Sequence, residues 1–261
     1  MTVLQLANDD TVSLQQLDRL ISADAAFALE VISIANSSLY APPFPVTSIL
    51  HAIAMLGSNR LRGICMTVGV RSYLGNLLRR PAMQIVWRHN LACAIVAERI
   101  TATGTIDSDA AYTAGILHDV GRLALAVVNP NMYDNLLRTH TGPPESIFQG
   151  ERELFGYDHC EIGNRVVEGW QMPGDFMPIV SQHHSPRAAD APWSVAEVIR
   201  ISCRLADAAG FPAFQGCEAT PVEQLLEALP ETSRQHFPAS REELKAMVNK
   251  NIRALESASR F

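Results

Sequence analysis

Gly115-Ile116-Leu117-His118-Asp119-Val120-Gly121-Arg122-Leu123 places two polar, metal-capable side chains in the middle of an apolar stretch. The run around it, from about Ser108 to Val128, reads as one helix. Successive residues on a helix point about 100° apart, so His118 and Asp119 grip one ion only if it sits over that edge of the helix. Further ligands then have to come from neighbouring helices, as in the metal sites of bundle cores. A single helical histidine is ordinarily a satisfied core or surface residue, and His-Asp dipeptides arise by chance. The pair gains weight only from what the rest of the chain carries.

Eight histidines are present, and five of them (His89, His118, His159, His183 and His184) fall in the central third at helices or helix ends. Neutral imidazole nitrogens and carboxylate oxygens suit Zn, Fe or Mn. His89 lies one helix before the pair and Asp207 several after it. Taken singly, Asp207 reads as an exposed helix residue, and His183-His184 as a helix end that tolerates positive charge. Their joint order, His, His-Asp, His, His-His, Asp, is the informative pattern.

The remaining chain is helical in its signals, with almost no strand alternation. Ser13 with Gln16 forms a capping box for a first helix, and a second spans about 24–36. Ala41-Pro42-Pro43-Phe44-Pro45 is a turn, after which Thr47 or Ser48 caps a helix ending at Gly57. Ser58 opens another to about Leu78. Met83 to Ile100 suits a helix buried on most sides. Asp158 and Glu161 cap a helix that stops before Pro173, and a shorter one runs over about 174–184. Ser194 and Glu197 cap a helix through Ala209, with Gly210 as its stop. Helices at about 221–229 and 241–258 complete the chain.

A length of 261 residues, 48% hydrophobic and 18% charged, is globular and not disordered. The net charge of −6 argues against a nucleic-acid surface. The one candidate basic patch, Arg60, Arg62, Arg71, Arg79 and Arg80, reads as solvated helix faces. No apolar run approaches the roughly 20 residues of a membrane span, and Asn8-Asp9-Asp10 make the N-terminus unlike a signal peptide. Five cysteines without a C-x-x-C read as small core residues of a cytoplasmic protein. The expected organisation is one compact unit over 1–210, made of a helical N-terminal region over 1–80 and a core over 81–210. A helical extension over 211–261 packs back on it through Leu225, Leu226, Leu229, Leu244, Met247, Val248, Ile252 and Leu255.

The segment Gly115–Leu123 resembles the signature of the HD superfamily of metal-dependent phosphohydrolases. The chain to about Gly210 resembles the HDOD domain, a helical signalling relative of those enzymes. The N-terminal half carries this independently, through Asn36-Ser37 after one helix and Leu56-Gly57 closing the next. The resemblance implies an all-α, multi-helix HD-domain-like bundle. It implies one metal on His89, His118, Asp119 and Asp207, and, as in the HD-GYP enzymes that hydrolyse cyclic di-GMP, a second on His159, His183 and His184 with Asp119 bridging. The ions would be one or two of Fe, Mn or Zn.

Three positions depart from HD-GYP enzymes. Arg122 replaces their Lys, and guanidinium is not a conservative stand-in for ammonium. Ser185-Pro186-Arg187-Ala188-Ala189 stands where Gly-Tyr-Pro is expected, and Ile85 where some carry an acidic residue. The resemblance therefore implies a cytoplasmic signal-transduction module with a protein partner and a metal pocket. The alternatives are a metal-dependent phosphohydrolase acting on a cyclic or linear nucleotide, with Asp119 and Arg122 as catalytic residues, or a metal-free helical scaffold.

Overall fold

Capping chemistry sets the helix starts in the computed structural model, which describes residues 13–186, 192–238 and 240–258. Asn8-Asp9-Asp10 and Arg187-Ala188-Ala189 lie outside the described residues. The chain divides into two compact units, one comprising Met1–Tyr73 with Asn249–Phe261 and the other Leu74–Val248. The fold is all-α. Among the described residues the strands are β1 (Thr141–Gly142) and β2 (Gly216–Cys217), two residues each and paired in parallel.

In the first unit, α1 (Leu14–Ser22) starts on the Ser13–Gln16 capping box, and α2 (Ala25–Ala35) on the Asp24 carboxylate, which accepts from Ala26 and Phe27 N–H. Past α2, Asn36 brackets the proline turn: its amide donates to Val46 C=O at 2.7 Å and accepts from Val46 N–H at 2.8 Å. Ser48 caps α3 (Ile49–Leu56), and Gly57, at φ +88°, turns the chain into α4 (Ser58–Leu74). The arginines are not a uniformly solvated face, since Arg62 is buried and Arg71 pairs with Glu30.

The second unit is organised on α5 (Pro81–Thr101), begun by Pro81, which has no N–H to orphan at the first helical position. Against it pack α6 (Ser108–Leu117) and α12 (Val195–Ala208). Gly115 permits the first contact, because a Cβ there would lie 2.4 Å from Ala94 Cα.

The single helix expected over Ser108–Val128 is two helices. His118 N–H closes α6 on Ala114 C=O, Asp119 takes φ −100°, ψ 23°, and α7 (Val120–Val128) begins afresh. Asp119 thus occupies the sparsely populated bridge region. The break redirects the pair without requiring both side chains on one helical edge. Ser108–Val128 also has the length and composition of a membrane span, contrary to the sequence expectation, and 83% of that window is buried inside the protein.

Two helices stand outside the sequence expectation. One is α8 (Pro130–Thr139), capped by Asn129, and the other α9 (Ile147–Phe155), stopped by Gly156 at φ +79°. Beyond them, α10 (His159–Gly169) lies against α7, and α11 (Phe176–Gln182) against α10. Val120, Val167 and Val180 form the apolar cluster between these three. Gly210, at φ +91°, turns the chain after α12 into a segment that buries Phe211 and Phe214. Then follow α13 (Val222–Glu227), α14 (Glu231–Arg234) and α15 (Arg241–Ala258), whose start is capped by Ser240. Leu225, Leu226, Leu229, Leu244 and Val248 are buried in this unit.

Candidate metal centre

Five helix segments deliver the polar core of the second unit. His89 comes from the middle of α5 and His118-Asp119 from the α6–α7 break. His159 opens α10, where Asp158 and Glu161 close a capping box, and His183-His184 follow α11. Asp119 lies at the centre. Its Oδ1 is 3.1 Å from His183 Nε2 and 3.4 Å from His159 Nε2, and its Oδ2 is 4.0 Å from His89 Nε2 and 3.9 Å from His118 Nε2. His184 joins this side, its ring 4.2 Å from that of His183 and 5.2 Å from that of His159.

Oxygen acceptors fix the ring orientations. His89 Nδ1 faces Phe211 C=O at 2.8 Å, His118 Nδ1 faces Gly115 C=O at 2.8 Å, His159 Nδ1 faces Glu151 Oε2 at 2.6 Å, and His183 Nδ1 faces Ile179 C=O at 3.2 Å. Each Nδ1 therefore donates, and each Nε2 turns inward; in the neutral ring that leaves a lone pair for an ion. His89 Nε2 and His118 Nε2 are only 3.3 Å apart.

Full burial opposes charge on Asp119, but Arg122 and the imidazoles outweigh it and hold the carboxyl well below the usual range. Burial drives His118, His183 and His184 below the ordinary imidazole value, which favours the neutral ring. At His159 burial and Arg122 oppose the proton, yet Glu151 prevails and the pKa is raised to about 10. Glu151 is itself pushed by burial towards neutrality, but His159 outweighs this and holds it at about 2.

The donor set suits a borderline metal. His159 Nε2 and His184 Nε2 are buried with no hydrogen-bond partner among the described residues, a state costly for a polar atom unless something fills it. Two groups place their donor atoms within 4.8 Å of one another: Asp119, His159, His183 and His184, and His89, His118 and Cys203.

Six of the expected ligands thus converge. The seventh, Asp207, does not join them, because it stands behind His89, with Oδ1 3.3 Å from Nδ1 and accepting from Ala213 N–H at 3.3 Å. Nor does Arg122 face an open site. It is fully buried, its Nε donates to Asp119 Oδ2 at 2.8 Å, and its Nη1 lies 3.5 Å from Glu151 Oε1.

Glu151 was not legible as a site residue, since it sits on α9 and meets His159 only through the fold. It also accepts from Tyr133 O–H at 2.7 Å. Glu151→Gln keeps the shape but removes the charge facing His159 and Arg122. We expect a loss of about 2 kcal/mol in denaturant unfolding, the scale of a hydrogen bond to a charged group.

An all-α bundle whose interior gathers histidines around a His-Asp pair defines a class, the helical domains with an HD-type core. Within it the chain belongs to the HDOD domain family, whose sequence pattern matches residues 1–186. An HDOD domain protein of unknown function from Geobacter sulfurreducens is similar in structure, with 23% identity, a TM-score of 0.66 and coverage of 98% of this chain and 90% of that one. A protein of Shewanella amazonensis SB2B named "putative metal-dependent phosphohydrolase" gives 21% identity and a TM-score of 0.65 over 98% and 89% of the two chains. These likenesses speak to the fold. An uncharacterized protein of Treponema pallidum (strain Nichols) is 22% identical over 179 residues, 67% of this chain, and the match spans 34%, about a third, of that relative's length.

Proposed function

We propose that this chain is a cytoplasmic signal-transduction module in which the HD-type pocket holds two metal ions, drawn from Fe, Mn and Zn, and a protein partner reads the resulting state of the helical fold. The observation that carries this reading is the set of four imidazoles whose Nδ1 atoms are each committed to an oxygen and whose Nε2 atoms converge around Asp119. His89 and His118 would hold one ion, His159, His183 and His184 the other, and Asp119 would serve both. A regulatory role in preference to turnover is supported by burial. Asp119 and Arg122 are 0% exposed, and Arg122 Nε is committed to Asp119 Oδ2.

A second reading, a phosphohydrolase of cyclic or linear nucleotides, is favoured by one feature. A cavity of about 450 Å³ reaches His184, with Arg152 and Arg204 among its lining residues. A bound metal pair would there supply an acidified water and charge neutralisation for a phosphoryl group.

Metal analysis of protein purified without chelator, followed by assay of nucleotide phosphoesters with each metal restored, separates these. Two equivalents of metal with no turnover is the expected result. Turnover lost in Asp119→Asn establishes the enzyme instead. Absence of metal, with His118→Ala binding and folding as the parent does, overturns both.

A further inference from the structure

Cys203 reads as core filler by sequence, but its surroundings are those of a ligand. It stands one helical turn before Asp207 on α12, is 1% exposed, and is not in a disulfide. Its Sγ lies 3.4 Å from His89 Nε2, which is in turn 3.3 Å from His118 Nε2. A tetrahedral ion at about 2.0–2.1 Å from nitrogen and about 2.3 Å from sulfur sets two nitrogens about 3.3 Å apart and nitrogen from sulfur about 3.5 Å apart. The two pairs that share His89 already stand at these spacings, and the donor atoms of all three residues lie within 4.8 Å of one another.

We propose that Cys203 is a metal ligand, which with His89 and His118 makes one half of the cluster a thiolate-bearing zinc site. The inference rests on the metal-pocket reading and assigns each half its chemistry. Asp119, His159, His183 and His184 offer only nitrogen and oxygen, suited to Mn or Fe, whereas a thiolate selects for softer ions such as zinc. Asp119 Oδ2, 4.0 Å and 3.9 Å from the two Nε2 atoms, is the carboxylate oxygen that would move in by about half an ångström to supply the fourth donor.

This assignment also explains the place of Asp207. With sulfur taking the position beside His89 Nε2, Asp207 stands at Nδ1 with the Phe211 carbonyl and orients the ring from behind. Cys93 is the internal contrast. It is equally buried, but its Sγ faces the Ile199 carbonyl at 4.0 Å, and it joins neither group of convergent donors among the described residues. On binding, the Cys203 thiol proton leaves to solvent and the sulfur lone pair goes to the ion, with no change of oxidation state.

The test loads the full chain with Co²⁺ or Zn²⁺ after chelation. Wild type and Cys93→Ser should show a thiolate-to-cobalt charge-transfer band that is absent from Cys203→Ser, and Cys203→Ser should bind zinc more than 100-fold more weakly, beyond the roughly 10–100-fold expected for losing a supporting hydrogen bond as in Asp207→Asn. Should Cys203→Ser fail to fold, zinc-edge X-ray absorption of the wild type decides through one sulfur at about 2.3 Å. Bound metal with no charge-transfer band and no sulfur neighbour overturns the thiolate site and leaves the metal pocket standing. No bound metal at all removes both.

Discussion

With the proposed metal pair bound, Asp119→Asn is expected to release both ions while the chain remains helical. The substitution keeps shape and volume but removes the charge on which both halves of the cluster depend. Oδ1 faces His159 and His183, and Oδ2 faces His89 and His118. It also strips Arg122 of its nearest anion. Removing one partner of a buried ion pair costs about 3–5 kcal/mol, and Glu151 at 3.5 Å from Arg122 offsets only a fraction of that. Elemental analysis after dialysis should fall from two equivalents to none. Far-ultraviolet circular dichroism should persist at low temperature, with an earlier thermal transition. Retention of both ions by a folded Asp119→Asn chain would remove Asp119 from the centre.

Gly121→Ala should be the most damaging single-methyl change in the second unit. Its Cβ would lie 1.8 Å from the His159 carbonyl oxygen, 2.7 Å from the His159 carbonyl carbon and 2.8 Å from Gly163 N. These are backbone atoms, so no rotamer change relieves the clash, and α7 and α10 must separate. Overpacking usually costs about 1–3 kcal/mol; with backbone as the obstacle we expect more than about 4 kcal/mol. His159 is carried on the displaced helix, so its half of the cluster should lose metal first. Gly169→Ala is the control, with nothing within 4 Å of its added Cβ and a helix-propensity gain of up to about 1 kcal/mol. Equal unfolding midpoints for the two variants would contradict the close helix approach.

What sequence reading recovered follows the range of the interactions involved. Ser13, Ser48, Asp158 and Ser194 cap helices within three residues of themselves, so those starts were legible. The order of the histidines pointed to a common centre, and six of the seven expected ligands meet. The break at His118-Asp119 had no breaker residue to announce it, because it follows from how α7 must lie to bring Gly121 onto α10. Glu151 was hidden because a lone acidic residue carries no site signal of its own, and its partner His159 is eight residues on, across a turn. Cys203 and Asp207 sit one turn apart on α12, and only the position of His89 between the Phe211 carbonyl and the sulfur tells which of them faces the centre.

The dryness of the cluster bears on timing. With His89, His118, Asp119 and Cys203 at 0–1% exposure, a chelator would reach an ion held by them only when helices separate, and they separate by local opening with its own free energy. Above a modest chelator concentration, the rate of ion release should cease to depend on that concentration and equal the opening rate. The half-life of an ion held there would then be a clock for the breathing of the bundle, and that ion a record of what was present when the bundle closed.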